Sequence, residues 1–344
     1  MMETILDSHK LMYHPKRVGN WLEGNSIYPI TVEISPTSAC NHRCIFCGPS
    51  FFLNYKVKYL DTSILKSTIY NMSEVGVKAI IYAGEGEPLL HNDISSIINH
   101  TKLCGMNASL TTNGSLMNKN ILDSCMKSLS WIKVSVDANK KEIYEKIHRC
   151  PKGDLNKVFN NLEYAVKLKK KYDLKCTIGT QALLLEDNKD DISNLVIHMK
   201  NIGVDYIVIK PLSIHPDGTC KNLKYQNITD EIRELEKYSN EKFKVIIRNK
   251  AFQHSDETRP YDKCYAQDFM AHIDSIGGVH SCINYIGQKE FCYGNIYENT
   301  FENIWKNKHT IKPDISKCRD ICRLDECNRY LWKLKNPPNH INFI

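Results

Sequence analysis

No stretch of the chain stays apolar for the roughly 20 residues that a helical membrane span needs, which excludes an integral helical membrane protein. The start, Met1-Met2-Glu3-Thr4, has no basic-then-apolar targeting pattern, and we expect a cytoplasmic protein. A concentrated basic patch is missing too. Net charge is +7 and the pI is near 8.6. The densest run, Lys167 to Lys175, is interleaved with apolar residues, as a solvated helix face is. Nucleic acid and membranes are therefore not expected partners, whereas an anionic substrate or acidic partner fits the mild excess. Cysteine, by contrast, is plentiful, with 14 residues. In a reducing compartment that number argues for metal binding or catalysis over disulfides.

Three thiols crowd into Cys40-Asn41-His42-Arg43-Cys44-Ile45-Phe46-Cys47, directly after the run Ile30-Thr31-Val32-Glu33-Ile34. A strand ending in a loop that turns three sulfurs toward one point suits a cubane iron centre. Three of its irons each take a thiolate and the fourth stays open. An open metal position marks a reactive site rather than a structural one. A zinc knuckle is the alternative, but such knuckles use two-plus-two pairs, and only His42 is near enough in sequence to be a fourth ligand. The cysteine spacing of three and then two residues, with aromatic Phe46 just before Cys47, resembles the radical S-adenosylmethionine (SAM) superfamily.

The length of 344 residues allows one large α/β domain with an appendage, or two medium ones. Residues 1–29 are polar and read as a loosely structured lead-in. From Ile30, short β-branched runs alternate with amphipathic segments of helix length. We place strands at 30–35, 78–83, 107–112, 131–136, 174–182 and 204–210, and helices near 62–75, 92–104, 117–128, 154–171 and 187–201. This order implies parallel βαβ units, giving an α/β fold with a partial (β/α)6 barrel of parallel strands over residues 30–250. A further helix is expected at 228–241 and a strand at 243–248. In such sheets the chemistry lies beyond the carboxyl ends of the strands.

The loops at those ends carry the remaining candidates. Gly84-Glu85-Gly86-Glu87-Pro88 follows the second strand. Its glycines allow close backbone approach to a ligand, and a carboxylate can hold an ammonium group. Its place matches the superfamily's Gly-Gly-Glu-Pro-like motif, which implies that Gly84, Gly86 and Glu87 bind the SAM amino group. The same resemblance makes Asn113, Ser135, Asp137 and, more weakly, Gln181 candidates for the SAM pocket, although short polar residues there also serve as caps and turns. Lys210 ends the sixth strand with His215 shortly after it. A lysine there either reaches solvent or meets an anion, so both are candidate contacts to a substrate carboxylate or phosphate. Cys220, in the following loop, is a candidate hydrogen-atom donor for an epimerisation.

From Cys264 to Cys327 there are six cysteines in 64 residues. The segment from His272 to His280 reads as a hairpin around Gly277-Gly278. Cysteine, twelve residues, Gly277, four residues and Cys282 resemble the opening of the auxiliary-cluster extension called SPASM, or twitch in its shorter form. The tail spacing of three and four residues departs from the full pattern, so the resemblance implies a single auxiliary [4Fe-4S] cluster within residues 251–344. Its ligands are expected to be Cys264, Cys282 and two of Cys318, Cys322 and Cys327, with Cys292 as a spare. A structural zinc on the same thiols is the alternative.

The resemblance implies an enzyme with a SAM-bound [4Fe-4S] cluster, SAM itself and an auxiliary cluster. It would be fed electrons by a reductant such as flavodoxin or ferredoxin. Such an oxidoreductase or epimerase removes a hydrogen atom from a substrate carbon. The short lead-in gives little room for a peptide-recognition domain. We therefore expect oxidation or epimerisation of a small carbohydrate-like molecule first, and maturation of a ribosomally made peptide second. A zinc-stabilised binding protein is the remote alternative.

Overall fold

The computed structural model describes residues 8–48, 56–213, 229–253, 258–308, 314–319 and 321–343. Seven strands succeed one another as parallel neighbours: β1 (Thr31–Ile34), β2 (Ala79–Tyr82), β3 (Asn107–Thr112), β4 (Leu129–Ser135), β5 (Thr177–Leu184), β6 (Tyr206–Pro211) and β7 (Lys244–Ile247). On the other side of β1 the sheet continues with parallel β8 (Met270–Ile273), then antiparallel β9 (Gly278–His280) and β10 (Cys292–Asn295). The expected hairpin is thus present, and it extends the main sheet. Strand β7 falls within the strand expected at 243–248 and pairs in parallel with β6, continuing the sheet past the six core strands.

Helices α1 (Pro15–Leu22), α2 (Thr62–Glu74), α3 (Ile94–Leu103), α4 (Lys119–Cys125), α5 (Lys141–His148), α6 (Asp154–Lys171), α7 (Ile192–Ile202), α8 (Thr229–Arg233), α9 (Asn249–Gln253), α10 (Phe301–Lys306) and α11 (Asp325–Lys335) complete the fold. Their starts and faces follow local rules. Asp61 caps α2 by accepting from Ser63 N and Ile64 N, and Leu65, Ile69 and Met72 then fall on its buried face. Each of those side chains contributes about 1.5–3 kcal/mol on burial.

The strands alternate with period two. Val32, Ile34, Ile80, Ile132, Val134, Ile178, Ile207 and Ile209 join the apolar core with the helices. The intervening positions on the other face include Glu33, Ser109, Lys133, Ser135, Gln181 and Lys210. One sheet face is therefore hydrocarbon and the other is polar and charged.

The lead-in is not loose. Burying Trp21 requires a partner for its indole N–H, and Nε1 donates to Asp268 Oδ2 at 3.0 Å. Val18 and Trp21 share a second apolar core with Tyr261, Tyr265, Phe269 and Leu331. The polar composition of residues 1–29 hid this helix because only one narrow stripe of α1 is apolar.

Candidate active site

The loop leaving β1 is pinned from three directions. Arg43 N donates to His148 O at 3.0 Å and Ile45 N to Ile147 O at 2.9 Å, while Cys47 N closes a turn on Cys44 O at 3.1 Å. Asn41 Nδ2 donates to Ser115 Oγ at 2.8 Å. Asn41 Oδ1 accepts from Asn113 Nδ2 at 2.8 Å. Glu87 N donates to Ala39 O at 2.7 Å. Cys40, Cys44 and Cys47 are half-buried and reduced. Burial pushes the Cys40 thiol up to about 11, and Glu87 and Cys47 add to the rise. Burial raises Cys44 further still, helped by Cys47, Asp137 and Cys40. The three thiols are near enough for their charges to influence one another. They fit an iron–sulfur cluster, whose irons would supply the charge that turns such thiols into thiolates.

The loop after β2 fits against this one through its glycines. A Cβ on Gly86 would lie 2.2 Å from Ala39 O and 2.6 Å from Thr37 O. Gly84, at φ +106°, would drive a Cβ into Ser35. The Glu87 carboxylate is committed inside the protein. Oε1 accepts from Thr112 Oγ1 at 2.6 Å and Leu89 N at 3.1 Å, and Oε2 accepts from Asn113 N at 2.7 Å. Burial nevertheless raises its pKa. Glu87 therefore braces three loops, and Asn113 links two of them. Ser135 and Gln181 sit opposite each other in register on β4 and β5.

Asp137 lies beside His148. It is 1% exposed. Its Oδ1 accepts from Leu183 N at 2.6 Å, and its Oδ2 lies 3.0 Å from His148 Nε2. Neither Asp137 Oδ2 nor His148 Nε2 has a hydrogen-bond partner among the described residues, so the contact is one of charge alone. The other nitrogen of that ring, Nδ1, is 3.4 Å from Cys44 Sγ. Sequence reasoning missed His148 because nothing in α5 marks a histidine 104 residues from Cys44 as its neighbour. His42, held by Asp154 at 3.2 Å, completes a group with Cys44 and His148 whose ligand atoms lie within 4.8 Å of one another. Phe46 joins a small apolar cluster with Ile147, Leu183, Leu185 and Leu212.

Five tail cysteines also gather. Burial raises Cys264, Cys322 and Cys327, the last two to about 12, with neighbouring thiolates adding in each case. Burial raises Cys282 too, and there the adjacent Cys318 adds. Tyr285 Oη lies 3.3 Å from Cys318 Sγ. This set fits a second cluster. Cys292 lies on β10, opposite His280 of β9. Burial raises its thiol, and the charges nearest it are those of Asp274 and Glu298.

Between the two thiol groups lies a cavity of about 270 Å³. Its lining includes Gly48, next to Cys47, and Gly84, together with Cys282 and Cys322 of the tail. Lys210 reaches it from β6, together with Arg248, Arg319 and Arg323. Burial first, then Lys133 and Arg248, lower the Lys210 ammonium to about 7. Burial lowers Lys133 to about 8, with Arg323 contributing. His215 and Cys220 lie outside the described residues.

Known proteins share both halves of this arrangement. A family model described as the radical SAM superfamily matches residues 34–198, and one described as an iron–sulfur cluster-binding domain, SPASM, matches residues 264–329. The chain is 30% identical over 321 residues to the GTP 3′,8-cyclase of Helicobacter pylori (strain HPAG1), covering 89% of this chain and 92% of that protein. The chain belongs to the radical SAM superfamily. A GTP 3′,8-cyclase of Clostridium botulinum (strain Hall) is 24% identical over 315 residues, covering 84% of this chain and 95% of that protein. With the Limosilactobacillus fermentum GTP 3′,8-cyclase, the 30% identity extends over 189 residues, 53% of this chain and 54% of that protein. Among solved structures, Streptococcus suis SuiB superposes with a TM-score of 0.67 at 15% identity, over 94% of this chain and 78% of that one. AdoMet-bound anSMEcpe gives 0.59 at 18% identity, over 81% and 80%.

The cofactors of this radical SAM protein are accordingly a SAM-bound [4Fe-4S] cluster, SAM and an auxiliary cluster. The α/β parallel sheet with a cysteine-rich C-terminal region is the fold of its structural neighbours. Among the described residues no helix is long and apolar enough to cross a membrane.

Proposed function

We propose that this radical SAM enzyme oxidises a small carbohydrate-like substrate held between its two clusters. The observation that carries the reading is the cavity itself, whose lining includes Gly48, next to Cys47, together with Cys282 and Cys322 of the tail. Bound there, the cofactors supply a 5′-deoxyadenosyl radical that removes a hydrogen atom from carbon, and an auxiliary acceptor for the electron that the carbon radical then gives up. Loss of a proton completes a two-electron oxidation.

The chain's own residues hold the parts. Cys40, Cys44 and Cys47 take the catalytic cluster, and Cys264, Cys282 and two of Cys318, Cys322 and Cys327 provide the auxiliary ligands. The Gly84–Gly86 backbone, Asn113, Ser135 and Gln181 shape the SAM pocket, with Glu87 bracing it. Ser213 Oγ donates to Ile321 O, tying the end of β6 to the tail loop.

A second reading comes from the relatives named GTP 3′,8-cyclase, for a nucleotide also joins a sugar to a small polar ligand. There the carbon radical closes a ring instead of losing an electron. Peptide maturation has the precedent of SuiB bound to precursor peptide SuiA, but a fold shared at 15% identity does not name a substrate. Anaerobically reconstituted protein with dithionite and SAM tests the proposal. It should release 5′-deoxyadenosine, which takes up deuterium from a labelled sugar substrate but not from labelled water. GTP consumption without an oxidised product would replace oxidation by cyclisation, and absence of SAM cleavage would overturn both.

A further inference from the structure

We infer that the cavity between the two cysteine groups is an oxyanion site, and that the substrate carries a phosphate or carboxylate that docks on Lys210 and Arg319. The inference deepens the proposed function and rests on it for the word substrate, but the site stands on its own geometry.

Four cationic side chains line this cavity: Lys210, Arg248, Arg319 and Arg323. Among the described residues no aspartate or glutamate lines it. Of these four, Arg323 is already paired. Arg323 Nη1 donates to Glu33 Oε2 at 2.5 Å, and Asp137 faces His148 at 3.0 Å. Among the described residues Lys210 has no ion-pair partner, and buried Arg319 Nε has no hydrogen-bond partner. Lys133, on the same polar face of the sheet, adds a fifth cation whose field reaches Lys210. Cations crowded in this way destabilise one another unless an anion is present.

The donors also come from separate elements. Lys210 ends β6, Arg248 follows β7, and Arg319 and Arg323 lie in the tail loop between Cys318 and α11. A substrate oxyanion would thus bridge the sheet and the cysteine-rich tail, placing its neighbouring carbon between the two clusters. Guanidinium forks match carboxylate or phosphate oxygens, and an ammonium adds a point charge.

The test is calorimetric titration of the reconstituted protein, with saturating SAM, using pyrophosphate and malonate as probes. One-to-one binding of at least one probe is expected, and the preferred probe tells phosphate from carboxylate. Lys210→Met and Arg319→Met should each weaken it by about tenfold or more, the scale of a lost charge-assisted hydrogen bond. Exposed Lys127→Met should leave it within about twofold, as is usual for a surface change far from a site. The two positions lie on different elements, so a folding defect in one variant, read from melting and iron content, leaves the other decisive.

The proposal is overturned if neither probe binds stoichiometrically, or if both cavity variants bind like the parent. It is also overturned if probe binding occurs only without SAM, which would make the SAM carboxylate the occupant. Failure of SAM cleavage with lysine-dependent probe binding intact would instead defeat the radical reading and spare the anion site.

Discussion

Arg323 of the tail loop donates to Glu33 of β1 at 2.5 Å, across 290 residues of sequence. The pair joins the cysteine-rich region to the strand that launches the first cysteine loop. Burial pushes the Glu33 carboxyl up, but Arg323 and then His272 outweigh it and hold its pKa well below the usual carboxylate range. Glu33→Ala would strand the guanidinium beside three other cations. We expect a loss of about 2–3 kcal/mol, less than the ~3–5 of a fully buried pair because Arg323 partly faces the cavity. The sign with pH follows. A depressed carboxylate pKa contributes stability above its unfolded value of 4.5, and that contribution fades as the pH falls below it. Acid melts should show the parent, but not Glu33→Ala, losing this increment below about pH 4.5.

Gly86→Ala should dismantle the first cluster site. The new methyl would meet Ala39 O and Thr37 O at 2.2 and 2.6 Å, and both are backbone atoms that cannot rotate away. The Cys40 loop or the Glu87 loop must then move. A loss of more than about 2 kcal/mol in stability is expected from such overpacking, with a parallel fall in bound iron. An alanine variant of normal iron content and melting temperature would contradict it.

These two contacts mark what the sequence could and could not disclose. The period-two alternation of β1 to β6 was readable from branched residues. So was the position of the cysteine loop at a strand's carboxyl end, because both are local patterns. Glu33 was visible as a charge inside an apolar run, but its partner was not, since nothing local relates it to Arg323. The same limit hid His148 beside Cys44 and the meeting of Lys210 with Arg248 and Arg319. Asp137 shows the same limit. A polar residue at a strand end looks the same in sequence whether it faces a ligand or a neighbouring histidine.

His148 makes its own prediction. When both ring nitrogens carry a proton, Nδ1 donates to the Cys44 sulfur, 3.4 Å away, while Nε2 faces the Asp137 carboxylate at 3.0 Å. Hydrogen bonds to ligand sulfur raise a cluster's potential. His148→Phe should therefore bind iron normally yet show a lower potential in an EPR-monitored redox titration. A normal potential would leave His148 only a packing role against Tyr144, on which its ring stacks at 4.0 Å.

Iron content separates the two cysteine groups. Two cubane clusters give about eight irons per chain, and Cys40→Ala or Cys264→Ala should each remove about four. Cys292→Ala should remove none, because that thiol sits by Asp274 and Glu298. Loss of iron in Cys292→Ala would return it to the ligand set.

Lys210 offers a titration with opposite consequences for folding and for ligand. Burial and the cations Lys133, Arg248 and Arg323 lower its pKa to about 7, with Asp137 opposing them. Between about 7 and the ordinary 10.5 the unfolded chain holds a proton that the folded chain has released. The unfolded state then binds more protons, so this group's share of stability rises with pH across that window. Affinity for an anion moves the other way, since only the ammonium attracts it. A bound anion also raises the pKa and shifts the loss of binding to higher pH. Probe affinity measured from pH 6.5 to 9 should therefore fall with a midpoint above about 7 while the melting temperature of the free protein holds or climbs. In Lys210→Met both slopes should flatten. If affinity falls with pH equally in parent and variant, the titrating cation is another group in the cavity.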